Sequence, residues 1–352
     1  DIQREADSCL SISGYSIRQL RRSSSDDPVL WSVLQPSRFH LFPVLVREFL
    51  FKSVIACVLF LSFVIGYGSF CDYFFQKPEY MDFTEKRTWN ISQRGGNYDY
   101  AVLGSSRAFG AFDMPLLDSL TGWKGINLGA NGSGFKDNYL VWSLFLKNNQ
   151  VNRLFLQVDM GSLNSKTTFS NDFHAFTFFP FWEEKEVREV LQEEIPVMAH
   201  PLTELAPQWR YFYFNKYFSP KEVIRRFLEG GETSDIFLKT RGGIQETKNT
   251  PSATKITPIP LPQTPDEEDW RYLLKVKALA EQAGIAVIFF SAPKYQDEQR
   301  EVGELLSQFP NWYISPEGFD QSKLSYFQDQ GHLTNLGRGY FTKILATKVS
   351  SL

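Results

Sequence analysis

Residues Ser53–Cys71 (SVIACVLFLSFVIGYGSFC) contain no charged side chain, and nothing else in the sequence limits the possible folds so strongly. A run this apolar needs a hydrophobic surrounding along its whole length. It lies near the short end of what crosses the hydrocarbon core of a bilayer as a helix. Phe49, Leu50 and Phe51 lengthen it, and Lys52 can carry its ammonium back to the headgroups on its methylene stem. A core helix would show one apolar stripe, whereas here apolar residues occupy every face. The expectation is a transmembrane anchor over residues 48–75, with Tyr67, Tyr73, Phe74 and Phe75 as an interfacial aromatic belt.

Arg18, Arg21, Arg22, Arg38, Arg47 and Lys52 precede the run, against Lys77, Lys86 and Arg87 after it. By the positive-inside rule the N-terminus is expected in the cytoplasm and the rest of the chain beyond the cytoplasmic membrane. Residues 1–47, rich in Ser and Arg without clear periodicity, read as a poorly ordered cytoplasmic tail. A cleaved signal peptide is one competing reading of the run, but no A-x-A-like site accompanies it. A lipid-modified Cys71 is another, but Phe70 stands where a lipobox has a small residue. An uncleaved anchor is therefore preferred.

The formal net charge is −3 and no Lys/Arg tract is long enough to follow a phosphate backbone, so nucleic acid is not expected as a partner. Cys9, Cys57 and Cys71 offer neither a disulfide framework nor a zinc site, and no metal or other cofactor is expected. Histidine chemistry must choose among His40, His174, His200 and His332.

After a linker over 76–97 the chain alternates strand and helix. Tyr98–Leu103, Lys124–Leu128, Arg153–Val158, Ile285–Phe290 and Asn311–Ile314 read as strands. A short helix capped by Asp113, then Lys136–Lys147, Asp269–Gln282 and Thr334–Val349, read as helices. Continuous apolar strands alternating with helices indicate an α/β domain over 98–352, with a mostly parallel sheet covered on both faces. An insertion over about 165–265 interrupts it, carrying the aromatic clusters Phe173–Trp182 and Trp209–Phe218. These clusters fit a sugar-stacking groove, a hydrophobic lid or a protein-docking surface.

In parallel sheets, reactive groups sit just past the carboxyl ends of strands. Gly104-Ser105-Ser106-Arg107 follows the first strand, a tight turn that exposes a hydroxyl beside backbone N–H groups. Asn127-Leu128-Gly129-Ala130-Asn131-Gly132 follows the second, where glycines let backbone N–H groups approach an oxyanion. Asp329-Gln330-Gly331-His332 precedes the last helix, a spacing that lets a carboxylate orient an imidazole.

Together these blocks resemble the SGNH/GDSL hydrolases. Gly104-Ser105-Ser106 stands where that family has Gly-Asp-Ser, a G-S-S variant similar to that of membrane-anchored relatives such as the D-alanyl-lipoteichoic acid esterases. The resemblance implies a three-layer α/β/α, flavodoxin-like fold, with Ser106 as nucleophile, His332 as base and Asp329 as triad acid. It also implies Gly132 and the Ser106 amide as oxyanion donors. The family's third block, Gly-x-Asn-Asp, is replaced by Asp159-Met160-Gly161-Ser162-Leu163-Asn164, where Asn164 is the candidate third donor. Arg107 is a candidate contact for an anionic substrate group, or else a surface salt-bridge partner.

The activity implied is ester hydrolysis or O-acyl transfer on acylated carbohydrate or another envelope polymer. A membrane-bound acyltransferase is a possible partner. The alternative is a catalytically degenerate envelope-assembly or binding protein that kept the fold.

Overall fold

The computed structural model describes residues 41–76, 86–159, 162–164, 175–205, 208–213, 224–225, 227–228, 235–243, 265–295, 302, 305–307 and 312–350. The chain divides into two units, Asp1–Ser62 and Phe63–Leu352. Most of the predicted tail lies outside the described residues. What is described of the first unit belongs to a single helix, α1 (Leu41–Phe75), within which Val46–Phe74 is long and apolar enough to cross a membrane. From Val46 to Leu61 its large side chains point away from protein, with Phe49 69% and Phe60 65% exposed. Each such side chain forgoes about 1.5–3 kcal/mol that burial would provide.

The second unit contains a five-stranded parallel sheet of β1 (Asn97–Leu103), β2 (Gly125–Asn127), β3 (Gln150–Gln157), β4 (Ala286–Phe290) and β5 (Trp312–Ile314), in the order β2-β1-β3-β4-β5. Ala101 is in register with Ile126 on one side and Leu154 on the other, and Leu154 with Val287. Strand β3 begins at Gln150 rather than at Arg153, because its first residues still pair along β1, Gln150 with Asn97 and Val151 with Tyr98.

Further helices are α2 (Lys86–Ser92), α3 (Ser106–Ala111), α4 (Met114–Thr121), α5 (Phe135–Leu146), α6 (Lys185–Glu193), α7 (His200–Leu205), α8 (Gln208–Tyr213), α9 (Asp235–Thr240), α10 (Glu267–Gln282) and α11 (Asn335–Val349). Their starts follow capping chemistry. The Asp113 carboxylate accepts the Leu116 N–H to open α4, and the Thr334 hydroxyl accepts the Gly337 N–H to open α11. Asp266 accepts N–H groups of Glu268 and Asp269, which starts α10 at Glu267, ahead of the predicted Asp269.

Alternate strand residues enter different hydrophobic clusters, as the period of two requires. Ala101, Leu103, Leu154, Leu156, Val287 and Phe289 join Trp142 and Phe145 of α5 with Tyr272 and Val276 of α10. Tyr100, Val102, Phe155, Ile288 and Phe290 join Met114 and Leu117 of α4 with Phe341 and Leu345 of α11.

Two expectations change here. The linker over 76–97 contains α2, in which Lys86 through Ile91 are all buried, so α2 is an integral element of the domain. Within the insertion, Phe178, Phe179, Trp182 and Tyr211 are buried in the α5–α10 cluster. These aromatic side chains are therefore core, not the wall of a groove. Phe173 and residues 214–218 of the same motifs lie outside the described residues.

Candidate active site

Strand β1 leads to β2 on one side and its other neighbour β3 leads to β4 on the opposite side, so the connections leaving β1 and β3 diverge at their carboxyl ends. Ligands of doubly wound folds bind in that crevice. The turn after β1 depends on Gly104, which has φ of 154°. A Cβ there would lie 2.6 Å from Gln157 Oε1 and 2.8 Å from Ala108 Cβ, so no larger residue fits. Gln157, the last residue of β3, organises the turn. Its Oε1 accepts the Ser105 N–H at 2.9 Å, the Ser105 hydroxyl at 3.0 Å and the Ala108 N–H at 3.0 Å. Three donors converging on one atom fix which way the amide faces. Its Nε2 donates to Asp159 Oδ2 at 2.7 Å.

The neighbouring serine is placed differently. Ser106 opens α3, and its Oγ lies 2.8 Å from His332 Nε2. His332 Nδ1 lies 2.9 Å from both carboxylate oxygens of Asp329. An ionised carboxylate can only accept, so Nδ1 carries the proton and the Nε2 lone pair accepts from the Ser106 hydroxyl. Asp329 is itself held by the N–H groups of Gly331 at 2.8 Å and His332 at 2.9 Å. An antiparallel bridge between Phe327 and Leu333, with the Gln328 N–H donating to the His332 carbonyl, closes this segment into a tight loop. Burial alone would raise the Asp329 pKa, but the Gly331 N–H and the His332 imidazole outweigh it and hold the carboxyl below the usual range. Even so, the His332 and Asp329 side chains are 40% and 43% exposed, so the hydrogen-bonded trio lies open to solvent. His200 is accounted for elsewhere, since its Nε2 donates to the carbonyls of Gln192 and Ile195. His40 and His174 lie outside the described residues.

The loop after β2 is stitched to the same end of β1. The Leu128 N–H donates to the Val102 carbonyl at 2.7 Å and the Ala130 N–H to the Gly104 carbonyl at 3.1 Å. Gly129 permits this approach, because a Cβ there would sit 2.8 Å from the Phe109 nitrogen of α3. Gly132, at φ of 63°, occupies the exposed tip of the loop. Among the described residues, no hydrogen bond from the N–H of Ser106 or of Gly132 occurs. Asn164 belongs to a 3-10 turn, Ser162–Asn164, just beyond β3, and its side chain lies outside the described residues.

Arg107 departs from expectation. It turns inward, pairing with Asp159 and donating to the Ala292 carbonyl, and the two side chains of the pair are only 10% and 4% exposed. That is a buried structural ion pair rather than a surface salt bridge. Burial would raise the Asp159 pKa, yet Arg107, Lys294, the Gln157 amide and the Ser162 N–H hold it below the usual range.

Sequence reasoning missed the residues behind the glycine-rich loop. Lys86 Nζ donates to the Asn127 carbonyl at 2.7 Å, to Asn127 Oδ1 at 3.4 Å and to the Gly129 carbonyl. Asn90 donates to the Leu128 carbonyl at 2.7 Å. Arg87 donates to the Asn131 carbonyl at 3.0 Å and the Ser133 hydroxyl at 2.8 Å, and lies 3.4 Å from Asp137. Burial pushes the Lys86 pKa well below its ordinary value. Three carbonyl-type acceptors oppose that shift by favouring the ammonium. Local sequence offers no signal for this, because Lys86 and Arg87 look like ordinary membrane-flanking charges. Gln157 was equally hidden, although a polar residue ending an apolar strand is a usable clue.

Among the described residues, no group of three or more His, Cys, Asp or Glu side chains is placed to hold a metal ion. Neither models of known protein families nor curated proteins give a match to this chain.

Proposed function

We propose that the chain is a membrane-anchored serine esterase or O-acyltransferase of the SGNH/GDSL type, acting on acyl esters of cell-surface or exported polysaccharide. The observation that carries this reading is the relay from Ser106 Oγ to His332 Nε2 at 2.8 Å and from His332 Nδ1 to Asp329 at 2.9 Å. His332 takes the hydroxyl proton as Ser106 Oγ attacks the acyl carbonyl, and Asp329 stabilises the imidazolium that forms. The Ser106 and Gly132 N–H groups receive the oxyanion, with Asn164 as the third donor the resemblance supplies. The tetrahedral intermediate collapses, the departing sugar hydroxyl takes the proton from His332, and the acyl group stays on Ser106. Water or a second sugar hydroxyl then attacks that ester with His332 again as base, which frees Ser106.

The openness of the trio supports a bulky polymer as substrate. The two hydrophobic clusters, one for each set of alternating strand residues, support a three-layer α/β/α arrangement. Burial of Lys86 and Arg87 removes them from the count of membrane-flanking charges, which strengthens the bias towards a cytoplasmic N-terminus and an external catalytic unit. If the reaction is transfer, a membrane-bound acyltransferase is the natural supplier of acyl groups.

The missing Gly-x-Asn-Asp block favours a second reading, a degenerate binding or assembly protein. A fluorophosphonate probe applied to the full chain separates the two. Labelling of the wild type that disappears in Ser106→Ala is the expected result, and an unlabelled wild type would favour the degenerate protein.

A further inference from the structure

The outer turns of α1 change character along their length. Phe63 and Ile65 are exposed, whereas Cys71 and Phe74 are fully buried by protein. A Cβ on Gly68 would lie 2.9 Å from the Gln208 backbone nitrogen, the rings of Phe70 and Phe227 meet edge-on with centroids 5.2 Å apart, and Asp72 Oδ1 accepts the Tyr211 hydroxyl at 2.6 Å. All three α1 residues belong to the apolar stretch Val46–Phe74. Counted from Lys52, a crossing of about 20 residues ends near residue 72, so Gly68–Phe74 spans the boundary between hydrocarbon and headgroups. Whatever packs on these turns sits at that depth.

The residues beside the contact points are chemically suited to it. Ile224, Phe227 and Leu228 are helical and spaced to share one face. Phe227 meets α1, while Ile224 is 49% and Leu228 75% exposed. Trp209, next to Gln208, is 46% exposed. Arg225 and Arg226 interrupt the apolar residues in the sequence. Apolar side chains on one face, arginines between them and a nearby Trp are the composition of a segment that lies in a membrane interface.

We infer that Ile224, Phe227, Leu228 and Trp209 form a lipid-binding foot in the outer headgroup layer, beside the point where α1 leaves the bilayer. Its ligand is the bilayer itself: apolar side chains enter the upper acyl region. The inference rests on α1 spanning the membrane, and the test keeps the two apart. The full chain is reconstituted in phosphatidylcholine/phosphatidylglycerol vesicles that include a phosphatidylcholine with a diazirine high on its acyl chain. After irradiation, lipid adducts are mapped by peptide mass spectrometry. Adducts are expected on α1 between residues 53 and 66 and on the peptides holding Trp209 and Ile224–Leu228, with none on the α10 peptide around Lys277. Adducts on α1 alone would overturn the foot and leave the span intact, whereas a protein without adducts on α1 would overturn the span. In the Ile224→Asp/Leu228→Asp double variant, the adducts at 224–228 should be lost while those on α1 remain. Their persistence there would count against the foot.

Discussion

Ser105 and Ser106 carry the same hydroxyl on adjacent residues, and their hydrogen-bond partners separate their roles. The Ser105 hydroxyl is committed to Gln157 and also accepts the Arg107 N–H, whereas that of Ser106 faces His332. Ser106→Ala should therefore abolish fluorophosphonate labelling and lower ester turnover by about a thousandfold or more. Ser105→Ala should cost roughly tenfold, because it loosens the turn without removing the attacking atom. The reverse pattern would exchange the two assignments. Asp329 tests the next link. Replacing it with Asn removes the acceptor that keeps the His332 proton on Nδ1, and turnover should fall by roughly 10³–10⁴-fold with the fold intact. Its pKa lies below the ordinary value near ~3.9, so the stability it adds is present above that value and fades as the pH falls through the lower folded one. Acid unfolding followed by circular dichroism should show this component in the wild type and lack it in Asp329→Asn. The three site blocks were legible because each is local in sequence. Gln157, which fixes the first of them, was not, since it arrives from a strand paired with β1.

Helix α2 is the element whose importance the sequence conceals. Its side chains take carbonyls of residues 127, 128, 129 and 131 out of competition, and so set the direction of the loop that carries Gly132. If that loop supplies an oxyanion donor, Lys86→Met should keep the sheet but lower kcat by roughly a hundredfold, since a displacement of an ångström suffices. KM should change little, because a donor needed mainly in the transition state contributes little to ground-state binding. An unchanged kcat in a folded Lys86→Met protein would mean the loop holds its shape without α2. Strands and long helices were readable from period and capping, and their boundaries moved where pairing or a cap outweighed hydrophobicity, as at Gln150 and Asp266. α2 was not readable, because a short polar segment becomes buried only when another loop presents acceptors, as the 127–133 loop does for Lys86, Arg87 and Asn90.

At the scale of the whole molecule, the anchor and the site pose one joint question: which side of the membrane the chemistry faces. Protease added to intact spheroplasts should digest residues 98–352, as a cytoplasmic N-terminus requires, and protection of that region would invert the topology. The charge-free run determined by itself that the chain holds a helix long and apolar enough to cross a membrane, because no arrangement of tertiary contacts is required to make Ser53–Cys71 apolar. The alternation of apolar strands with helices likewise determined a parallel sheet, since short hairpins cannot connect parallel neighbours. Only the tertiary structure decided the strand order, and with it the 2.8 Å approach of two residues as far apart in sequence as Ser106 and His332. It also decided that Arg107 turns inward to Asp159 and that Lys86 is buried behind a loop. Periodicity and composition are properties of neighbours along the chain, whereas the partner of a buried charge is chosen by whichever acceptor the completed fold brings within reach.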